Sequence, residues 1–345
     1  MKPLNSKARL RDNPPLVSVV IPAFRCADRI ANAINSVIAQ SFSSYEILVI
    51  NDGSPDAESL ERALLPYGSQ IQYLKQENRG PSGARNLGIL NASGQFVAFL
   101  DSDDSWLPDH LAQQMELLLS DPSLDLVYGD SKLVRDGAII GHAFGLEPQH
   151  PPVSFEKILT EECTVGTSST VAKRQALVDA GLFDERFRCC EDFDLWLRMA
   201  FRGSRMDFDP GLHVVHHLSP DSLSGDRYIM KRARIEVYEK TASTLPVSRS
   251  QTELIRRLIA SNEAECQTDL TKQFLRSRQY EKALQSAKSA GNAQRTLKMR
   301  VTVVGIRHFP RLFRFCHGIY EQLLTVARRI RTVAATWQKP NYVEK

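Results

Sequence analysis

Three groups of carboxylates stand out in this 345-residue chain, because each adjoins an apolar or turn-forming run and each could do chemistry. Asp101-Ser102-Asp103-Asp104 follows the apolar run Phe96 to Leu100 directly. In an extended segment residues i and i+2 point the same way, so Asp101 and Asp103 could share one hard cation. Oxygen ligands alone suit Mg2+ or Mn2+, which keep waters and bridge to substrate phosphates. The second group is Asp52, in the turn sequence Asn51-Asp52-Gly53-Ser54. It could accept from a planar N–H donor such as a nucleobase, or brace the turn as an Asx residue. The third is Glu191-Asp192, just before an apolar helix. Acids there are ordinary helix N-terminal residues, and beside a metal site one of them becomes a candidate general base. Between them lies Asn78-Arg79-Gly80-Pro81-Ser82-Gly83-Ala84-Arg85-Asn86. Its glycines allow close approach of a ligand, and its arginines could oppose a diphosphate or merely solvate a surface. It matches neither G-x-G-x-x-G nor a P-loop, so dinucleotide and P-loop ATPase sites are disfavoured.

The elements that must position these groups alternate. Val17 to Ile21 reads as a buried strand stopped by Pro22, followed by a helix with Ile30, Ile34, Val37 and Ile38 on one face. Glu46 to Ile50, Ile71 to Leu74, Phe96 to Leu100 and Leu126 to Tyr128 are further strands. Helices are expected over Asp56 to Leu65, Ala84 to Leu90 and around Leu111, Met115, Leu118 and Leu119. This rhythm predicts an α/β fold with a mostly parallel, Rossmann-like sheet covered on both faces, its ligands at the carboxyl ends of the strands. That rule directs attention to Pro22, Ala23, Asp52 and Asp101. Lys132 to Ile140 reads as a hairpin turning at Asp136-Gly137, Arg174 to Ala180 and Asp192 to Arg202 as helices closed by glycine, and Leu212 to His217 as a strand. From Arg227 onward the pattern is almost all helical.

A net charge of +4 conceals a polarity. Residues 1–225 hold 20 Lys+Arg and 30 Asp+Glu, a balance of −10, and residues 226–345 hold 24 and 10, a balance of +14. The expected organisation is a flexible 1–14, a catalytic 15–225 and a basic helical 226–345. Six scattered cysteines without C-x-x-C spacing argue against zinc and a disulfide framework. No apolar stretch is long enough to span a bilayer, and no secretory leader is expected. A cytoplasmic protein is the resulting expectation.

Five segments together, Val17 to Phe24, Ile50 to Ser54, Asn78 to Asn86, Phe99 to Asp104 and Glu191 to Arg198, resemble the ordered motifs of the family-2 inverting glycosyltransferases. The resemblance covers about residues 15–225 and implies a GT-A nucleotide-sugar-binding fold. It implies that Pro22, Ala23 and Asp52 hold the nucleoside, with Asp52 reading uracil. Arg79, Gly83, Arg85 and Asn86 would line the base and diphosphate pocket, with Asp101 and Ser102 contributing to it. Asp101 and Asp103 would be the D-x-D metal motif for Mn2+ or Mg2+. Asp192 would be the catalytic base, with Glu191 as the fallback. Where relatives carry Arg-x-His-Pro-Gly-Ser-x-Ser, this chain has His217-Leu218-Ser219-Pro220-Asp221-Ser222-Leu223-Ser224, which leaves His216 or His217 as a substitute, His217 as the further metal candidate, or both as core or edge histidines.

The function implied is an inverting, metal-assisted hexosyl transfer from a nucleoside-diphosphate sugar, a UDP-sugar by expectation, to a glycan or lipid-linked acceptor. The competing classes are a non-catalytic nucleotide-sugar-binding module and a sugar nucleotidyltransferase. The latter should carry a Gly-rich basic loop after the first strand, where this chain has Pro22-Ala23-Phe24-Arg25. Past Pro310 a helix is expected with Leu312, Cys316, Ile319, Leu323, Ala327 and Ile330 on one stripe and Arg311, Arg314, Arg328, Arg329 and Arg331 at its ends. Such a helix fits an anionic membrane surface, making the protein peripheral on the inner face of the cell membrane, or packs on its neighbours. Nucleic acid ranks last, for want of a binding motif.

Overall fold

The computed structural model describes residues 14–146, 149–218, 226–293 and 297–316. The chain divides into two compact units, Met1–Gly225 and Asp226–Lys345.

The first unit is one mixed sheet with helices. In chain order it runs β1 (Val17–Ala23), α1 (Ile30–Ile38), β2 (Tyr45–Asp52), α2 (Ala57–Leu64), β3 (Ile71–Gln76), α3 (Gly80–Asn91), β4 (Phe96–Phe99), β5 (Ser105–Trp106), α4 (His110–Ser120), β6 (Leu124–Arg135), β7 (Ala138–His142), α5 (Ala143–Leu146), α6 (Phe155–Leu159), β8 (Thr170–Lys173), α7 (Arg174–Asp179), α8 (Glu191–Phe201) and β9 (Arg205–His217). The strand order is β3-β2-β1-β4-β8-β6-β9-β5, with β7 paired to β6. The first four strands are parallel, and β1, β4 and the end of β2 show the near-continuous burial typical of such sheets, while β3 at the edge alternates. Beyond β4 the pairing turns mixed: β8 is antiparallel to both β4 and β6, β6 and β9 are parallel, and β5 is antiparallel to β9. The mostly parallel sheet read from the sequence therefore describes its first half. The helical rhythm that demands crossovers lapses after α4, where the β6–β7 hairpin allows an antiparallel return.

The core lies between the sheet and α1, α2 and α4, and includes Val19, Ile21, Ile34, Val37, Val49, Leu60, Met115 and Leu118. Ile38 and Leu119 fall outside the buried faces expected of them and are exposed. Each ends its apolar stripe on the solvent side of the last turn. Pro22 does not stop β1, which continues to Ala23. The Val20 carbonyl accepts from Leu100, so residue 22 faces the same side, where β4 has already ended at Phe99 opposite Val20. The missing proline N–H therefore breaks no ladder bond. β9 also outruns the expected Leu212 start. Its breakers Pro210 and Gly211 are accommodated where the register with β6 jumps from Gly129–Asp209 to Asp130–Leu212.

The second unit is helical: α9 (Arg227–Thr244), α10 (Arg249–Arg276), α11 (Tyr280–Ala293) and α12 (Leu297–His308), with residues 310–316 again helical. Asp226 caps α9 by accepting from the Tyr228 and Ile229 N–H groups, and Ser248 with Gln251 forms a capping box on α10. Leu275, Ala283, Ala287 and Ile306 form an apolar core among α10, α11 and α12. Lys231, mostly buried on α9, is held by Glu265 at 2.8 Å and Asp269 at 2.9 Å on α10. Among the described residues no helix is long and apolar enough to cross a membrane. Of the expectations above, residues 1–13, Ser219 to Ser224 and the helical stripe from Ile319 to Ile330 lie outside the described residues.

Candidate active site

The parallel order β3-β2-β1-β4 places Asp52, Pro22–Ala23 and the Asp101 turn along one edge of the sheet, at the strand carboxyl ends. Asp52 ends β2 and is buried. Its Oδ1 accepts from Gln76 Nε2 at 2.6 Å and from the Arg79 N–H at 2.8 Å, and its carbonyl accepts from Asn78 at 3.0 Å. The side chain thus ties β2 to β3 and to the start of α3. The turn is braced by its neighbour instead, since Asn51 Oδ1 accepts from the Ser54 N–H at 2.8 Å.

The glycine-containing stretch is not a loop. Helix α3 starts at Gly80, four residues before the expected Ala84, because Pro81 in its first turn is compatible with a helix start. Of its four candidate ligand residues, Arg79 is exposed and pairs with Glu185 at 2.7 Å. Gly83 packs against that arginine, where an added Cβ would lie 2.4 Å from Arg79 Cβ. Asn86 is buried and clamps the segment after α7, donating to the Phe183 carbonyl and accepting from the Phe183 N–H, both at 2.9 Å.

Arg85 departs most from its expected place in a diphosphate pocket. It is buried, with Nη2 donating to Asp101 Oδ1 at 2.7 Å and Nη1 donating to Glu191 Oε1 at 2.7 Å. One guanidinium therefore joins the turn after β4 to the first residue of α8. Glu191 is itself buried, and burial with Asp192 beside it raises its pKa although Arg85 opposes the rise. Its Oε1 is engaged by Arg85 Nη1, so the fallback base doubles as an anchor of that guanidinium. Asp192 is half-buried, its Oδ2 accepting from the Thr167 hydroxyl at 2.9 Å. Helix α8 opens from Cys190 in a left-handed conformation (φ 59°), an uncommon backbone for a non-glycine residue. Three acids in its first turn, Glu191, Asp192 and Asp194, complement the helix dipole. Asp194 is structural, paired to Arg198 at 2.7 Å.

The aspartate turn is crowded. The Asp101 N–H donates to Ser168 Oγ at 3.2 Å, Ser102 is hydrogen-bonded to Cys26 in the β1–α1 connection, and the Asp104 N–H donates to the Asp101 carbonyl at 3.0 Å. Asp104 is fully buried and receives His216 Nδ1 at 2.9 Å and the His217 N–H at 3.2 Å. That hydrogen bond raises the His216 pKa to about 8. Of the two histidines weighed from the sequence, His217 is exposed and His216 supplies the imidazole to Asp104. The Asp103 pKa is raised by burial and by the Asp104 and Asp101 charges. The carboxylates at 101, 103, 104, 191 and 192 outnumber the two cationic partners among them, Arg85 and His216. Among the described residues no group of three or more His, Cys, Asp or Glu forms a metal cage. Two oxygen ligands in a carboxylate-rich turn nevertheless fit a hard dication that keeps waters and substrate phosphates.

Thr167, Ser168 and Glu185 escaped the sequence reading. The hydroxyl run Thr167-Ser168-Ser169-Thr170 is the one local signal for the first two, and it reads equally as a turn.

Comparison with known proteins bears on the fold and the family. The family Glycosyl transferase family 2 matches residues 18–137. The Escherichia coli UDP-Glc:alpha-D-GlcNAc-diphosphoundecaprenol beta-1,3-glucosyltransferase WfgD is 30% identical over 215 residues, which covers 62% of this chain and 81% of that protein. The chain spans only 29–61% of the length of the uncharacterized Rickettsia glycosyltransferases it matches. Among solved structures, S. aureus TarS 1–349 in complex with UDP-GlcNAc superposes with a TM-score of 0.61 at 16% identity, over 89% of this chain and 91% of that one. The mannosyltransferase PcManGT from Pyrobaculum calidifontis, in complex with GDP-Man and Mn2+, gives 0.58 at 17% identity, over 98% and 92%. The fold is of the GT-A type.

Proposed function

We propose that this chain, which belongs to glycosyl transferase family 2, catalyses a metal-assisted inverting transfer of a hexose from a UDP-sugar to an acceptor hydroxyl in polysaccharide assembly. The donor reading draws support from the UDP-GlcNAc and GDP-Man complexes of the two structural neighbours, and the acceptor reading from the lipid-linked acceptor in the name of WfgD. In this reading the nucleoside lies over Pro22, Ala23 and Asp52 at the ends of β1 and β2. Asp101 and Asp103 would hold Mn2+ or Mg2+, which when bound offsets charge on the departing diphosphate. Asp192 takes the proton of the acceptor hydroxyl, a general-base contribution of ~10²–10⁴-fold. A single displacement from the face opposite the leaving group inverts the anomeric carbon, by the geometry that inverting glycosidases use. With a lipid-carried acceptor the reaction would lie at a membrane surface, on its cytoplasmic side by expectation.

The observation that carries the reading is the Arg85 bridge, which fixes the aspartate turn and the start of α8 at opposite ends of one side chain. It also separates the two candidate bases, since Glu191 is committed to that bridge and Asp192 is not. The Asp192→Asn variant should lose transfer while retaining UDP-sugar binding by calorimetry. Wild-type turnover in that variant overturns the assignment.

A further inference from the structure

Among the described residues, thirteen large apolar side chains are exposed, and five of them fall within residues 301–315 of the second unit: Val301, Val304, Phe309, Leu312 and Phe315. Each is 56–63% exposed. The other eight are spread from Phe24 to Ile229.

The segment has a definite inside and outside. Ile306 is buried, and Val303 and Phe313 pack with it against Leu275, Ala283 and Ala287. The chain bends sharply between α12 and helix 310–316, because an added Cβ on Gly305 would lie 2.2 Å from the Phe313 ring. Residues eight apart in a straight helix are about 12 Å apart along the axis, so only the bend brings them together. With Phe313 turned inward over Gly305, Leu312 and Phe315 are left facing out. The outward apolar residues alternate with exposed Arg300, Arg307 and Arg311. Residues 297–316 contain five Lys+Arg and no Asp or Glu, and residues 295–345 contain eleven against two.

We propose that this bent, outward-facing surface docks the protein on an anionic lipid membrane, with Phe309, Leu312, Phe315, Val301 and Val304 entering the headgroup boundary and Arg300, Arg307 and Arg311 meeting lipid phosphates. A short segment of exposed apolar side chains interspersed with cations and free of carboxylates is what an interfacial segment needs. A protein partner recognised by charge would need acidic groups spaced to match. A membrane needs only anionic headgroups, which attract each cation by an amount that falls with salt. The inference stands apart from the transferase reading, because it concerns only the second unit.

The test is co-sedimentation of the full chain with phosphatidylcholine vesicles, with and without phosphatidylglycerol, at low and high salt. Wild type should sediment with the phosphatidylglycerol vesicles, stay in solution with phosphatidylcholine alone, and be released by salt. The variant Phe309→Ser/Leu312→Ser/Phe315→Ser alters only exposed positions and should lose binding while keeping the thermal transition and UDP-sugar affinity of wild type. Each of Arg300→Gln, Arg307→Gln and Arg311→Gln should lower partitioning about fivefold. Wild type remaining in solution with anionic vesicles overturns the proposal, as does undiminished binding by the triple serine variant. A concentration-dependent dimer that the serine variant abolishes would also overturn it, by assigning the face to a second copy of the chain.

Discussion

Arg85 makes two 2.7 Å ion pairs in a buried setting, and its partners Asp101 and Glu191 lie in different motifs. Removing one member of such a cluster strands buried charge, which costs on the order of 3–5 kcal/mol. Arg85→Gln should therefore lose about that much stability in urea denaturation. Arg85→Lys should fall between it and wild type, since an ammonium keeps the charge but cannot fork to both carboxylates. Equal stability of all three would show that the bridge does not form in solution. Asp103 makes the complementary case. Its carboxyl is crowded by Asp101 and Asp104, and a dication would relieve that crowding. Asp103→Asn should raise the dissociation constant for Mn2+ in the presence of UDP at least tenfold, followed by the Mn2+ spin-resonance signal. Unchanged affinity would remove Asp103 from the metal reading.

At the scale of elements, α4 carries an unusual buried group. His110 stacks on Trp106 at 4.4 Å and is fully buried, and neither ring nitrogen has a partner. Burial drives its pKa down to about 3, with His213 reinforcing the shift and Asp209 opposing it. The folded state therefore keeps the ring neutral, whereas the unfolded chain protonates it near pH 6.5. Stability from this group is unaffected above that pH and declines as pH falls from about 6.5 toward 3, because only the unfolded state takes up the proton. His110→Phe keeps the stacking and removes the titration. Its thermal midpoint should fall less steeply than that of wild type between pH 6.5 and 4. Parallel curves would mean that His110 does not govern acid sensitivity. The same buried pairing of α4 with β6 and β9 holds Gln114, whose amide atoms also have no protein partner.

At the scale of the whole molecule, the first unit contains its own core, its complete sheet and every residue of the candidate site. A chain ending at residue 225 should then unfold cooperatively and bind UDP-sugar with the affinity of the full protein, measured by calorimetry. Loss of binding in that piece would show that the helical unit takes part in donor recognition. The opposite charge balances, −10 and +14, divide at the same place. The charge division thus follows the structural one.

Apolar periodicity and strand-end turns are local signals, so the sequence alone determined the existence and order of β1 to β4, the helices between them, and the placing of Asp52 and Asp101 at strand ends. Order along one chain also made the motif set legible, because five motifs in sequence are far more restrictive than any one. Partnership depends on which side chains meet across the fold, and only the tertiary structure decided it. Arg79 and Arg85 look alike in the sequence, yet one is exposed against Glu185 and the other is buried between Asp101 and Glu191, 16 and 106 residues away. His216 and His217 are adjacent, and the alternation of β9 turns the first imidazole to Asp104 and leaves the second exposed. Glu191 and Asp192 both begin α8, but neighbours on a helix point in different directions, so one is spent on Arg85 and the other meets Thr167. The outward face of residues 301–315 has the same origin: its composition was legible, but its exposure depended on Phe313 packing over Gly305, a contact that the bend in the chain creates.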